Sequence, residues 1–294
     1  MQDSRTFTPQ PTADGSFTFF SSEFGEFFHS TQGAKEEALV KFVEPCQIAQ
    51  KAQQPVVRLL DVCYGLGYNS AAALEVIWET NPNCHVELMA LELDATVPQS
   101  AIAHNLLNVW SQPIPELLEV LATSLKVQTH RLDAQLLIGD ARATLGQLRQ
   151  SNFQADAIFL DPFSSRRCPQ LWTVEFFQQL AHCCAPTGRL ATYSCAASVR
   201  SALLTAGFKI GFTPPLRGRQ PGTIASFTDT DLPSLPLRSQ EHLQTRAAVP
   251  YRDPQLGDPA PIILQRRQME QQASSLEPTS RWQKRWSWEE RNDV

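Results

Sequence analysis

Val56 to Val76 reads VVRLLDVCYGLGYNSAAALEV, an apolar strand, a glycine-rich turn and a helix in immediate succession. Val56, Val57, Leu59, Leu60 and Val62 form the near-continuous apolar run of a strand buried on both faces of a parallel sheet. Gly65 and Gly67 then let the backbone turn tightly and approach a ligand, and Asn69 with the alanines after it opens a helix whose N-terminus faces that ligand. Taken alone, such a turn also fits a plain strand-to-helix connection.

The next element narrows the choice. His85 to Leu91 is a second apolar strand, with Glu92 at its C-terminal end and Asp94 just beyond. A carboxylate in that place accepts hydrogen bonds from the ribose hydroxyls of a nucleoside, which suits NAD and S-adenosylmethionine alike. Cys63 stands where a dinucleotide fingerprint has its first glycine, and the third glycine is missing. An adenosine without a pyrophosphate fits better, and a nicotinamide dehydrogenase is the least favoured reading.

With 294 residues, 42% of them hydrophobic, the chain can bury the core of one large α/β domain with further segments to spare. No window approaches the roughly 18 uninterrupted apolar residues that cross a bilayer, and the polar start MQDSRTFTPQPTADG has no signal-peptide core, so no membrane association and a cytoplasmic location are expected. The seven cysteines are scattered, several in apolar runs, with neither zinc spacing nor a disulfide framework; no metal is expected. A net charge of −5 gives no global attraction to nucleic acid, so a polyanion site would need local basic clustering.

Residues 1–20 have the composition of a disordered start, and the amphipathic segment Ser22 to Phe42 is placed to cap the site. Helical patterns follow around Val97 to Trp110 and Glu116 to Leu125, broken by Pro113 and Pro115; Val127, Thr129 and Arg131 alternate as the start of a hairpin into the strand Leu136 to Ile138. A helix over Thr144 to Leu148 leads to the strand Ala155 to Leu160. Three successive strands thus end in an acid: Glu92, Asp140 and Asp161. In an open parallel sheet, ligands bind beyond the carboxyl ends of the strands, so these three would line one crevice. Helix capping is the alternative for each, above all for Asp140. Asp161 is followed by Pro162-Phe163-Ser164 and a polar loop through Arg166, Arg167 and Pro169, longer and richer in special residues than a simple connection needs.

A helix over Phe176 to Cys184, a strand over Arg189 to Ser194, a helix over Val199 to Ala206 and two last strands, Phe208 to Phe212 and Gly222 to Phe227, complete the pattern. No helix separates those last two, which implies an antiparallel hairpin at the sheet edge. That is the seven-stranded arrangement of methyltransferases. The expected layout is a domain over residues 21–228 and a proline-rich, extended tail over residues 229–294.

Several stretches in this order resemble one family: Ser21 to Glu37 (SSEFGEFFHSTQGAKEE), Tyr64-Gly65-Leu66-Gly67-Tyr68-Asn69, Ile138 to Arg142, Phe159-Leu160-Asp161 through Pro169-Gln170-Leu171-Trp172-Thr173, and Leu190 to Ser194 with Val199-Arg200 and Ala206-Gly207-Phe208. They are similar to the methyltransferase domain of the MnmC tRNA-modification family, over roughly Ser21 to Phe227. The resemblance implies a Rossmann-like, class I S-adenosylmethionine-dependent methyltransferase that methylates the exocyclic amine of 5-aminomethyluridine, often 2-thiolated, at the tRNA wobble position. It implies the anticodon stem-loop as partner and S-adenosyl-L-methionine as cofactor, held by Tyr64, Gly65, Gly67, Asn69, Glu92, Asp140, Ala141 and Asp161. Bifunctional members carry an FAD-dependent oxidase after this domain; the chain ends at Val294, so a stand-alone enzyme without FAD is expected. It departs from the family at Cys63, a usual glycine, at Pro162, where glycine is common, and in the Arg217-to-Thr223 loop.

The chemistry follows from the residues. A primary alkylamine titrates near that of lysine, roughly 10, so at neutral pH it is mostly protonated and lacks the lone pair for attack on a methyl sulfonium. Asp161 is the candidate catalytic residue, accepting an amine N–H, aiming the lone pair and stabilising the cationic nitrogen that develops. With an ordinary pKa it would be a poor base, which favours positioning over proton removal. Phe163 would stack on a flipped base, with core packing the alternative, and Arg166, Arg167, Arg217 and Arg219 would hold anticodon phosphates, with plain solvated loop arginines the alternative for each. In the tail, Arg281 to Trp288 (RWQKRWSW) suits either RNA stacking or a docking helix, with docking the better fit. A methyltransferase for a small-molecule or protein amine would share every cofactor residue and Asp161; a non-catalytic cofactor- or RNA-binding module is the remaining class.

Overall fold

The computed structural model describes residues 7–216 and 220–292. Its central sheet is built from β1 (Val56–Val62), β2 (His85–Glu92), β3 (Lys126–Gln128), β4 (Leu132–Ile138), β5 (Ala155–Leu160), β6 (Cys184–Thr192), β7 (Lys209–Phe212) and β8 (Thr223–Ser226). In space they run β7-β8-β6-β5-β1-β2-β4-β3. The β4-β2-β1-β5-β6 block is parallel throughout, and β8 inserts antiparallel between β6 and β7. The closing antiparallel hairpin expected from the sequence is therefore present.

The sheet has eight strands rather than seven, because β3 pairs antiparallel with β4 at the far edge. Only Val127 of β3 is buried; Lys126 and Gln128 are exposed, the short and polar character that keeps a sheet edge from pairing with other chains.

Successive residues of β1 point to opposite faces, and two cores result. Val57 and Leu59 pack with Val86, Leu88 and Ala90 of β2 under α1 (Tyr68–Thr80), α2 (Thr96–Ala103) and α3 (Ile114–Ser124). Leu60 and Val62 pack with Ile158 and Leu160 of β5 under α4 (Ala141–Gln150), α5 (Val174–His182) and α6 (Ala197–Thr205). Pro115 does not break α3 but sits in its first turn, where the missing N–H costs nothing. Cys184, expected in a helix, opens β6 instead, and the register of β6 against β5 shifts between Cys184 and Arg189 around Pro186.

Two expectations are corrected. The start of the chain is ordered from Phe7: Gln10–Pro11 pairs with Phe17–Thr18, and Phe7 lies against buried Phe19 with ring centroids 5.2 Å apart, so two aromatics anchor a segment whose composition is otherwise polar. Residues 1–6 lie outside the described residues.

The tail is not extended either. It forms α7 (Leu237–His242), α8 (Ala260–Ala273) and α9 (Thr279–Asn292), with its prolines at helix starts and in the connections. Buried Asp253 clamps it to the sheet domain by accepting from Arg142 Nη1 at 2.8 Å and from the Gly257 and Asp258 amides, both at 3.1 Å. Trp282 stacks on His242 at 4.2 Å, and Trp286 Nε1 donates to Glu241 at 2.9 Å, so these two tryptophans dock a helix. No helix among the described residues is long and apolar enough to cross a membrane.

Candidate active site

β1 has β2 on one side and β5 on the other, and the chain leaves these neighbours in opposite directions across the sheet, which opens a crevice beyond their carboxyl ends. The turn after β1 holds three left-handed residues: Cys63 (φ 68°), Gly65 (φ 56°) and Gly67 (φ 86°). Cys63 thus takes a backbone shape that glycine adopts without strain. The Cys63 and Tyr64 amides both donate to the Leu91 carbonyl, at 3.0 and 2.9 Å, tying the turn to the end of β2. A Cβ on Gly67 would sit 2.5 Å from the Tyr64 hydroxyl oxygen, so the ring folds across the turn only because position 67 is bare.

Glu92 is fixed at both oxygens. The Gly65 amide donates to Oε2 at 2.8 Å and the Asp94 amide to Oε1 at 3.0 Å, with the Leu93 amide a further donor, which fixes the carboxylate on the crevice wall. Burial still pushes this carboxyl above its ordinary value. Behind the turn lies Asp61, fully buried inside β1; it accepts from Ser70 Oγ at 2.6 Å, and burial pushes it up to about 7. Asp61 was not singled out from the sequence, although an acid inside an apolar strand run was the available signal.

Asp161 follows β5, and its amide donates to Val62 at 3.1 Å, beside the start of the glycine turn. Its Oδ2 accepts from Asn69 Nδ2, in the first turn of α1, at 3.0 Å. Burial, and after it the negative charge of Glu37, hold the Asp161 carboxyl well above the usual range. The loop after it is pinned at three points. Tyr193 donates its hydroxyl to the Pro162 carbonyl at 2.8 Å, Trp172 Nε1 donates to the Phe163 carbonyl at 2.8 Å, and Ser164 donates its amide to Glu26 at 2.9 Å.

A cavity of about 590 Å³ occupies this crevice. One wall is the strand ends and the other is the N-terminal segment, whose Phe20–Ser21/Glu26–Phe27 hairpin and helical turn Ala34–Ala38 contribute Phe24, Phe28, His29 and Glu37. Of the residues singled out from sequence, Gly65, Glu92, Asp161 and Phe163 line it. Phe163 stacks on Phe24 at 4.3 Å and meets Phe28 edge-on at 5.0 Å, so the cap already covers one face of its ring.

Tyr64, Gly67 and Asn69 stand behind the lining, as support for it. Asp140 and Ala141 do not reach the cavity: Asp140 caps α4 through the Arg142 amide at 2.9 Å and pairs with the Arg142 guanidinium at 2.6 Å, the capping role weighed against a ligand role. Arg166 lies on an adjoining cavity of about 430 Å³, and Arg217 and Arg219 lie outside the described residues. Glu37, His29 and Tyr193 fall within the stretches Ser21 to Glu37 and Leu190 to Ser194 that carry the family resemblance, but none was singled out as a site residue.

The residues fit an adenosyl sulfonium cofactor. The volume suits a small-molecule site, the Glu92 carboxylate lines it at the end of β2 where a ribose acceptor is called for, and further carboxylates on the wall suit a cationic ligand. His29 Nδ1, on the same wall, is buried and makes no hydrogen bond within the protein. Burial holds the imidazole neutral, at about 4.

Comparison with known proteins agrees with this geometry. The structure of MnmC2 from Aquifex aeolicus superposes with a TM-score of 0.80 at 34% identity, covering 93% of this chain and 87% of that one. The bifunctional tRNA 5-methylaminomethyl-2-thiouridine biosynthesis protein MnmC of an Acidovorax strain is 32% identical over 225 residues, 71% of this chain. The chain belongs to the MnmC methyltransferase family. A family described as S-adenosyl-L-methionine-dependent methyltransferase also matches residues 98–228, and an uncharacterised protein of Methanocaldococcus jannaschii is 28% identical over 254 residues, 82% of this chain and 66% of that one. The chain spans about a third of the length of the bifunctional MnmC proteins it matches.

Proposed function

We propose that this MnmC-family chain transfers a methyl group from S-adenosyl-L-methionine to the exocyclic amine of 5-aminomethyluridine, with or without 2-thiolation, at the wobble position of tRNA. The observation that carries the reading is Asp161, held by Asn69 at the mouth of the glycine turn and across one cavity from Glu92. The family membership supplies the substrate class: the bifunctional relatives are named for 5-methylaminomethyl-2-thiouridine biosynthesis in tRNA.

In this reading Glu92 accepts from the ribose hydroxyls, and the Gly65 backbone lets the nucleoside approach the turn. When bound, the cofactor supplies an electrophilic methyl group on a sulfonium. Asp161 accepts an N–H of the substrate amine, and Asn69 fixes the carboxylate so that the lone pair is aimed. Asp161 is also a stronger base than an ordinary aspartate, because its charged form is disfavoured by burial and by Glu37. Proton removal from the ammonium is therefore easier than the sequence alone suggested. The Phe24 and Phe28 cap keeps water from the reacting atoms, and Arg166 stands ready for a phosphate beside the adjoining cavity.

The test is transfer of labelled methyl from S-adenosyl-L-methionine to tRNA isolated from cells lacking this activity, followed by nucleoside analysis. Label in 5-methylaminomethyluridine is expected. Cofactor binding without label in any tRNA nucleoside would overturn the tRNA assignment and point to a small-molecule or protein amine.

A further inference from the structure

The site contains a further carboxylate, that of Glu37, which the reaction as described uses only for the effect of its charge on Asp161. Glu37 lies in the helical turn Ala34–Ala38 of the cap, is 9% exposed, and has Oε2 fixed by the Ser30 amide at 2.7 Å. It lines the 590 Å³ cavity together with Asp161 and Tyr193, and it also lines the 430 Å³ cavity. Glu37, Ser164 and Tyr193 are the residues common to both walls. Glu37 therefore stands at the junction of the two spaces. The glycine turn and Glu92 belong to the larger cavity alone, Arg166 and Lys41 to the smaller alone.

This division gives the cavities different characters. The larger has the nucleoside-binding turn; the smaller offers Arg166 and the hydroxyls of Ser164, Ser165 and Ser194, groups suited to a nucleotide's sugar and phosphate. A substrate nucleotide seated in the smaller cavity must carry its side-chain amine past Glu37 and Tyr193 to reach Asp161. An alkylammonium entering that junction meets carboxylates from two sides, one on the sheet and one on the cap.

We propose, resting on the methyltransferase reading above, that Glu37 is a second catalytic carboxylate, which with Asp161 receives the substrate as its ammonium ion and takes the proton that must leave before methylation. The step balances. One N–H bond of R–CH2–NH3+ breaks and its proton goes to the carboxylate pair, leaving the neutral amine. Its lone pair then forms the N–C bond as the C–S bond breaks with its electrons passing to sulfur, and the secondary ammonium product stays beside the carboxylate that kept its charge. Two ionised carboxylates on one cavity repel each other, so the pair has a higher affinity for a single proton than either alone. The other titratable or charged groups on these walls are Glu23, Glu26 and His29 from the cap, Cys63 in the glycine turn, Glu92 and Asp94 at the end of β2, Arg166 and Cys168 after β5, Tyr193 and Cys195 beyond β6, and Lys41 one turn beyond Glu37, whose Nζ donates to the Pro214 and Gln220 carbonyls at 2.8 and 3.1 Å.

Glu37→Gln keeps an acceptor for the Ser30 amide and removes the charge. With aminomethyl tRNA as substrate, kcat at pH 7.5 should fall at least about 100-fold. It should then rise about tenfold per pH unit towards pH 10, as solvent takes over deprotonation of the amine, while wild type stays level. The dissociation constant for S-adenosylhomocysteine, measured by calorimetry, should change less than threefold. A wild-type rate with an unchanged pH profile would overturn the proposal. If Glu37→Gln loses S-adenosylhomocysteine binding, Glu37→Asp takes its place, since it keeps the charge and withdraws it by one methylene: a lower kcat at unchanged KM is expected, and wild-type kcat would overturn the proposal. Failure of the wild-type protein itself to methylate the tRNA would sink the tRNA assignment instead, so the two failures are distinct.

Discussion

Glu92→Gln separates cofactor recognition from folding, because the carboxylate serves the turn and the ligand at once. In the wild type, Oε2 accepts from Gly65 at 2.8 Å and Oε1 from Asp94 at 3.0 Å. An amide can answer only one of these N–H groups; its own NH2 then faces the other donor. One charge-assisted bond is lost, about 1.5–3 kcal/mol, and a buried charge is removed in return, since burial already lifts the Glu92 carboxyl above its usual range. The net loss of stability should be about 1–2 kcal/mol, a fall of roughly 2–8 °C in Tm. Binding suffers separately: one ribose-directed acceptor becomes a donor, a loss of about 1.4–3 kcal/mol, which is roughly 10- to 100-fold in Kd. Calorimetric titration with S-adenosylhomocysteine reads the second effect, and thermal melting without ligand reads the first. A Kd within threefold of wild type would refute the placement of the ribose at Glu92, whatever the melting temperature did.

Asp161→Ala should cut methyl transfer by at least about 100-fold while S-adenosylhomocysteine still binds within a few-fold of wild type; a near-normal rate would remove Asp161 from the chemistry. Asp61 titrates near 7 in the fold against an ordinary 3.8, so its stabilising contribution is complete below 3.8 and is lost as pH rises through 7. Asp61→Asn, which keeps an acceptor for Ser70, should therefore gain about 2–3 kcal/mol on wild type between pH 5 and pH 8 in urea unfolding, and a difference that stays flat with pH would contradict it. Tyr64 buries a hydroxyl that makes no hydrogen bond, so Tyr64→Phe should raise stability by about 1 kcal/mol with cofactor affinity unchanged; weakened binding would return Tyr64 to the ligand's contacts.

What the sequence made legible was what local pattern can carry. The run from Val56 to Val62, the turn glycines and the acids that close β2 and β5 are short-range signals, each set by a strand and the turn that follows it. Asp140 shares that signal and differs only in what comes next: Arg142, two residues on, draws the carboxylate into a cap and an ion pair, and the carboxyl drops below its usual value. Glu37, His29 and Tyr193 were not legible as site residues, although the stretches that hold them were, since each reaches the site from an element remote in sequence. The tail misled for a related reason. Proline counts suggest extension, but Pro261 occupies the first turn of α8, and the segment is ordered by partners such as Arg142 and Thr173 that lie far upstream.

An acidic cavity in a protein proposed to handle tRNA carries no contradiction, because the two charges act over different distances. Glu26, Glu37, Glu92 and Asp161 line a recess roofed by the aromatic cap, where a small cation is met at contact range and with little water between. Phosphates outside would be separated from them by protein and by electrolyte, in which the field of an exposed charge decays over about 8 Å. Arg166 and Arg167, exposed on the loop after β5, are the charges those phosphates would meet first. A net charge of −5 then sets the pace of encounter more than the outcome: raising the salt should weaken tRNA binding through the rim arginines, yet leave the preference for an ammonium over a neutral side chain intact, since that choice is made inside.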